Sequence, residues 1–141
     1  MQIKELVQQS GLSTDTVRYY IRVGLIQPIA QQDNGYRIFD KDKVYKLRFI
    51  RIAKTLGFTL KEIRQILDHA DQGTSPCADV RVMVTNRIKE NRHKIEQMLE
   101  LQNRMESALK QWQKMPDKIP EGHSVCHLIE SVAKNSPLNE E

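Results

Sequence analysis

Apolar residues recur at helical spacing from the start of the chain. Ile3, Leu6 and Val7 share one face of IKELVQQ, and Gly11 in SGLST then marks a turn. Ser13 precedes DTVRYYIRVGL and suits an N-cap, because its hydroxyl can take a free backbone N–H of the first turn. Helix, tight turn and second helix make a helix-turn-helix pattern. Thr14, Thr16, Arg18, Tyr19 and Arg22 on the second helix could all reach phosphates or base edges. In QPIAQQDNGYRIFD, Asn34-Gly35 is a strong hairpin signal, since both residues tolerate positive φ. Ile29, Tyr36, Ile38 and Phe39 around it suit short strands, which predicts a wing with Arg37 near its tip. Two amphipathic helices follow, separated at Gly57. Leu47, Ile50 and Ile52 of the first are expected to close a core with Leu60, Ile63, Ile66 and Leu67 of the second.

After the linker QGTSP, Pro76 suits the first turn of a new helix, and no glycine or proline interrupts from there to Trp112. Some 36 residues at 1.5 Å each give about 54 Å, far longer than an ordinary globular helix. Its apolar pattern is a heptad. Val84, Asn91, Met98, Met105 and Trp112 recur every seven residues, and Ile88, Ile95, Gln102 and Leu109 fill the second seam position. Such a stripe needs a partner helix, which predicts a homodimer joined by a coiled coil. MPDKIPEGH, with Pro116, Pro120 and Gly122, must be loop. SVCHLIESVA then reads as a short helix with Val125, Leu128, Ile129 and Val132 facing inward. The expected fold is mainly α. Residues 1–72 form a winged helix-turn-helix domain, 76–113 a dimerisation helix, 114–135 a loop and short helix, and 136–141 a tail.

Charge sharpens this picture. Residues 1–75 hold 12 Lys+Arg against 8 Asp+Glu, whereas residues 76–141 hold 10 of each, so the whole excess of +4 lies in the N-terminal half. A polyanion is expected to dock there. No apolar run approaches a membrane span, and MQIKELVQQ has no signal-peptide core, so a cytoplasmic protein without membrane contact is expected. Its two cysteines, Cys77 and Cys126, are then poor material for a disulfide, leaving metal binding, thiol chemistry or burial.

The order of elements and several strings resemble the MerR family of bacterial transcription regulators: TVRYY at 16–20, GLI at 24–26, NGYRIFD at 34–40 and LRFIRIAKTLGFTLKEI at 47–63, followed by the long helix. The likeness spans essentially the whole chain and departs at Ile21, where the family usually has a glutamate. It implies a winged-helix homodimer on a two-fold symmetric operator in double-stranded promoter DNA. Effector binding then bends and untwists the DNA so that RNA polymerase can engage it. Carried over by residue, Thr16, Arg18 and Tyr19 would contact DNA, Tyr20 would lie nearer the core, and Tyr36, Arg37 and Lys54 would grip phosphates.

The same resemblance bears on the effector. Divalent-metal sensors of the family carry a cysteine at the start of the long helix, as Cys77 does, and another just before the short helix, as Cys126 does. With the long helices paired antiparallel, Cys77 of one subunit meets the 114–127 loop of its mate. The further loop cysteine of mercury sensors is missing, since Pro116 and Asp117 stand there, and the four cysteines of the iron–sulfur branch are absent. What remains is Cys77 with Cys126, His123, His127 and Asp117, a borderline-soft set suited to tetrahedral Zn²⁺, with Cd²⁺, Co²⁺ and Pb²⁺ as alternatives. The competing reading is a regulator that senses oxidants or electrophiles through Cys77 or Cys126 without metal. A zinc hydrolase is not expected, because the chain has no HExxH and no general base beside these donors.

Overall fold

The computed structural model describes residues 1–135; the tail expected at 136–141 lies outside the described residues. In chain order the elements are α1 (Ile3–Ser10), α2 (Thr14–Arg22), β1 (Ala30–Gln31), β2 (Arg37–Ile38), α3 (Lys41–Thr55), α4 (Leu60–Asp71), α5 (Cys77–Trp112) and α6 (His127–Asn135). The fold is mainly helical, as expected. Two compact units divide it, Met1–Asn86 and the residues from Arg87 onward.

In the first unit, α1 stops at Gly11, whose φ of +73° is left-handed and costs glycine nothing. Ser13 is the N-cap of α2, its hydroxyl accepting from the Thr16 N–H at 3.1 Å. β1 and β2 pair antiparallel, Ala30 opposite Ile38 and Gln31 opposite Arg37. The turn between them differs from expectation: among the described residues only glycines have positive φ, so Gly35 (+87°) turns the chain without Asn34. Gln32 N–H donates to the Tyr36 carbonyl at 2.8 Å, and Gly35 N–H to the Gln32 carbonyl at 2.9 Å. That is a type I turn closed by a left-handed glycine. Asn34 contributes through its side chain instead, Oδ1 accepting from Tyr36 N–H at 3.1 Å.

Leu6, Val17, Ile26, Val44, Leu47, Ile50 and Ile63 are fully buried, and Phe39 at 1% exposure anchors the wing to this core. Removing each such side chain from water contributes roughly 1.5–3 kcal/mol. Ile52 does not join them. It is 61% exposed, because α3 buries the face carrying Val44, Leu47, Ile50 and Ala53, and Ile52 points away with Tyr45 and Leu56. Helix α4 opens on a capping box: Thr59 Oγ1 accepts from Glu62 N–H at 3.1 Å and Glu62 Oε1 from Thr59 N–H at 2.8 Å. Arg48 holds α3 to the end of α1, donating to the Gln9 carbonyl at 3.0 and 3.3 Å. Pro76 precedes α5 rather than opening it, its carbonyl taking the Val80 N–H at 2.9 Å. Val80, Met83 and Val84 pack partly on the core, which is why the first unit runs ten residues into α5.

The second unit starts inside α5, which has no buried residue along its whole length. The heptad positions Ile88, Ile95, Met98, Met105 and Leu109 are all exposed in the single chain. In α6 the expected inner face splits: Leu128 and Val132 are half-buried, whereas Val125 precedes the helix and Ile129 faces outward, both exposed.

Candidate DNA interface and metal loop

Packing of Val17, Tyr20 and Ile21 into the core fixes which side of α2 faces solvent. Thr14 and Arg18 are exposed, Thr16 is half-buried, and Tyr19 is 38% exposed beside a Tyr20 that is 7% exposed. Tyr20 is thus a core residue. Burial, and secondarily the Tyr19 phenol beside it, pushes its phenol above the ordinary range. The Arg22 guanidinium lies 5.3 Å over the Tyr19 ring, a cation–π contact that orients the phenol from the next turn of the helix. The Thr16 hydroxyl accepts from Ser13 Oγ at 2.8 Å, so cap and candidate contact share one hydrogen-bond chain. Lys54 comes from the last turn of α3. With Asp15, Thr16, Tyr19, Tyr20 and Leu60 it lines an open hollow of about 370 Å³. Thr16, Tyr19 and Lys54 are therefore gathered in one place. Tyr36 and Arg37 stand apart on the wing, both exposed.

Cys77 is the first residue of α5 and exposed, its N–H donating to Ser75 Oγ at 3.3 Å. The other expected donors lie in the second unit. Asp117 is exposed directly after Pro116. His123 is exposed in a turn closed by Ser124 N–H donating to the Glu121 carbonyl at 3.0 Å. Cys126, half-buried, caps α6, its carbonyl accepting from Glu130 N–H at 3.0 Å. His127 follows. Its Nε2 lies 2.8 Å from the Pro116 carbonyl oxygen, which can only accept, so Nε2 carries the hydrogen and the neutral ring keeps its Nδ1 lone pair. Among the described residues of one chain, no three His, Cys, Asp or Glu side chains are grouped so as to hold a metal ion.

Glu130 escaped the sequence reading. One carboxylate oxygen accepts from Ser124 Oγ at 2.7 Å and the other from Val125 N–H at 3.0 Å. The Val125 amide first, then the Ser124 hydroxyl, hold its acidity on the strong side of a usual glutamate. An acidic residue in the first turn of a helix opened by SVC was the available signal.

Comparison with known proteins decides the family. Residues 1–70 match the MerR HTH family regulatory proteins and residues 44–108 the family's DNA-binding segment. The mercuric resistance operon regulatory protein of Bacillus cereus is 33% identical over 134 residues, covering 94% of this chain and 96% of its own. The chain belongs to the MerR family. Family members are transcription regulators that bind promoter DNA as dimers, and the fold above is theirs. The transcriptional regulator HmrR of Rhizobium leguminosarum bv. viciae is 38% identical over 106 residues, covering 75% of this chain and 81% of its own. Among solved structures, the regulator PbrR691 of Ralstonia metallidurans CH34 in complex with lead(II) superposes with a TM-score of 0.73. It is 27% identical and covers 94% of this chain and 98% of that one.

Proposed function

We propose that this MerR-family chain is a divalent-metal-responsive transcription activator, working as a homodimer across an antiparallel α5 coiled coil. Residues 1–72 hold the operator. Thr14, Thr16, Arg18 and Tyr19 present α2 to it, while Tyr36, Arg37 and Lys54 take phosphates. The observation that carries the metal reading is the His127 ring beside Cys126. Tying one imidazole nitrogen to a backbone carbonyl while leaving the other lone pair free is how metal-ligating histidines are oriented. The donor set is Cys77 of one protomer with Cys126, His123, His127 and Asp117 of its mate. Two thiolates with imidazole or carboxylate suit Zn²⁺ first, with Cd²⁺, Co²⁺ and Pb²⁺ next. The mercury named for one relative and the lead(II) named for one similar structure support a divalent effector. Pro116 and Asp117, standing where a third thiol would be needed, favour a harder ion than mercury.

A bound metal ion supplies a link between donors of two protomers. The chain itself supplies the switch: Cys77 starts the helix that continues the DNA-binding unit, so tension on it acts on the operator contacts. Bending the operator costs on the order of 1–6 kcal/mol, and the effector must favour the distorting conformation by a similar amount. RNA polymerase then reads the realigned promoter.

The test is an equilibrium competition among zinc, cadmium, cobalt, lead, copper(I) and mercury for the dimer, read by affinity and by promoter activation. Cys77→Ser and Cys126→Ser should each abolish tight binding and activation. Normal responses in both variants would sink the metal site, and a metal-free protein that activates on thiol oxidation would establish the redox reading instead.

A further inference from the structure

We propose that Glu130 is a positioning residue for the metal loop, fixing Cys126 and the His123 turn in the geometry that receives the ion; this rests on the metal-responsive reading above. The residues on both sides of Cys126 are tied down. On one side Val125 N–H is held by Glu130 Oε2 at 3.0 Å, and on the other His127 is held by the Pro116 carbonyl at 2.8 Å. The carbonyl of Cys126 itself is taken by Glu130 N–H at 3.0 Å. Residue 130 thus holds the Cys126 carbonyl with its backbone and the neighbouring Val125 amide with its carboxylate. The second carboxylate oxygen reaches further, to Ser124 Oγ at 2.7 Å. Ser124 also closes the turn that contains His123, donating its N–H to the Glu121 carbonyl at 3.0 Å. One exposed acid therefore joins the turn bearing one expected donor to the helix start bearing two more.

The chemistry explains why this helps an ion bind. A loop containing Pro116, Pro120 and Gly122 has no regular hydrogen bonding between α5 and α6, so side-chain ties such as that of Glu130 add to the few backbone bonds that order its donors before an ion arrives. Groups held beforehand lose less freedom on binding, and outer partners of metal ligands typically govern affinity by 10–100-fold.

Glutamine at this position separates positioning from charge. Its amide oxygen can accept from Val125 N–H and its NH₂ can donate to the Ser124 hydroxyl, which accepts as readily as it donates. Glu130→Gln keeps the clamp and removes the charge, whereas Glu130→Ala removes both. The experiment uses the full-length dimer and three readouts. They are Zn²⁺ affinity by chelator competition, the thiolate-to-metal absorption of the Co²⁺ form, and hydrogen exchange of the Val125 amide in the metal-free form. The expected result is a loss of affinity of about 10–100-fold in Glu130→Ala, with weakened Co²⁺–thiolate absorption and faster Val125 exchange. Glu130→Gln should stay near wild type in all three, and Ser124→Ala should lie between. Equal affinity in Glu130→Ala and wild type would overturn the proposal, as would a Glu130→Gln variant as weak as Glu130→Ala, since that marks a bare charge effect. A wild-type dimer that takes up neither Zn²⁺ nor Co²⁺ would overturn the metal reading and this inference with it, an outcome plain before any variant is made. Hydrogen exchange of the α6 amides guards against simple unfolding, because a variant with α6 still protected and reduced affinity has lost position and not the helix.

Discussion

Replacing Arg37 by alanine should flatten the salt dependence of operator binding. Arg37 sits on β2, exposed, and its guanidinium has no partner among the described residues, so a DNA phosphate can take it at no cost in broken bonds. Each phosphate neutralised by a cation releases condensed counterions, contributing about 0.9 to the slope of log affinity against log salt on duplex DNA. A two-fold dimer carries two copies of the substitution, so the slope should become shallower by about 1.8. Between roughly 50 and 200 mM salt, wild type should then lose about twelvefold more affinity than the variant. Fluorescence anisotropy with a labelled operator across that range measures it directly. Arg48→Ala is the control of equal charge change: its guanidinium is already engaged by the Gln9 carbonyl, so it should lower thermal stability and leave the slope nearly unchanged. Identical slopes for wild type and Arg37→Ala, or the same slope change in both variants, would refute the wing as a phosphate grip.

Other expectations concern the scaffold. Thr59→Ala opens the capping box of α4 and should cost about 1 kcal/mol, or some 4–8 °C in Tm for a unit of this size; Glu62→Ala should add little to it, and additive losses in a double-mutant cycle would deny the reciprocal cap. Gly11→Ala forces a left-handed φ on a residue with a Cβ and should cost roughly 1–2 kcal/mol. The added carbon would also meet Arg51 Nη1 at 2.9 Å; that side chain can swing away, so Arg51→Ala should rescue little, and full rescue in urea denaturation would show that crowding rather than φ sets the cost. Burial raises the Tyr20 phenol, so its contribution is complete below the unfolded value of about 10 and is lost as pH rises through the raised folded value. Denaturation at alkaline pH should show a shallower fall in Tyr20→Phe than in wild type, and superimposable profiles would mean another group dominates.

The parts of the fold that were legible in the sequence are those where one residue has one local job. Ser13 caps because its hydroxyl answers a free amide three residues on, and Gly35 turns because few other residues take its φ. Ile52 was misread because a hydrophobic residue in a helix rich in them says nothing about its angle. The neighbouring Val44, Leu47, Ile50 and Ala53 define the buried side, and Ile52 falls outside it. The heptad was plain, and one chain leaves its apolar residues exposed. For the candidate metal loop, Cys126, His123 and His127 stood out by type, since thiol and imidazole are rare donors. Glu130 did not, because exposed glutamates are common and only its two short contacts distinguish it. The tie from His127 to Pro116 spans eleven positions through a carbonyl that no side-chain pattern records.

Beyond Val84, helix α5 leaves its apolar stripe exposed in one copy, which bears on how much of this regulator a cell can keep. A copy without a mate presents that stripe bare on an otherwise polar helix, the kind of surface that quality-control proteases engage, and a fold stabilised by pairing strengthens with its own concentration. On the proposed pairing, newly made molecules should be durable only once matched. Turnover of the unmatched fraction would trim overproduction and keep operator occupancy steady without any added layer of genetic control.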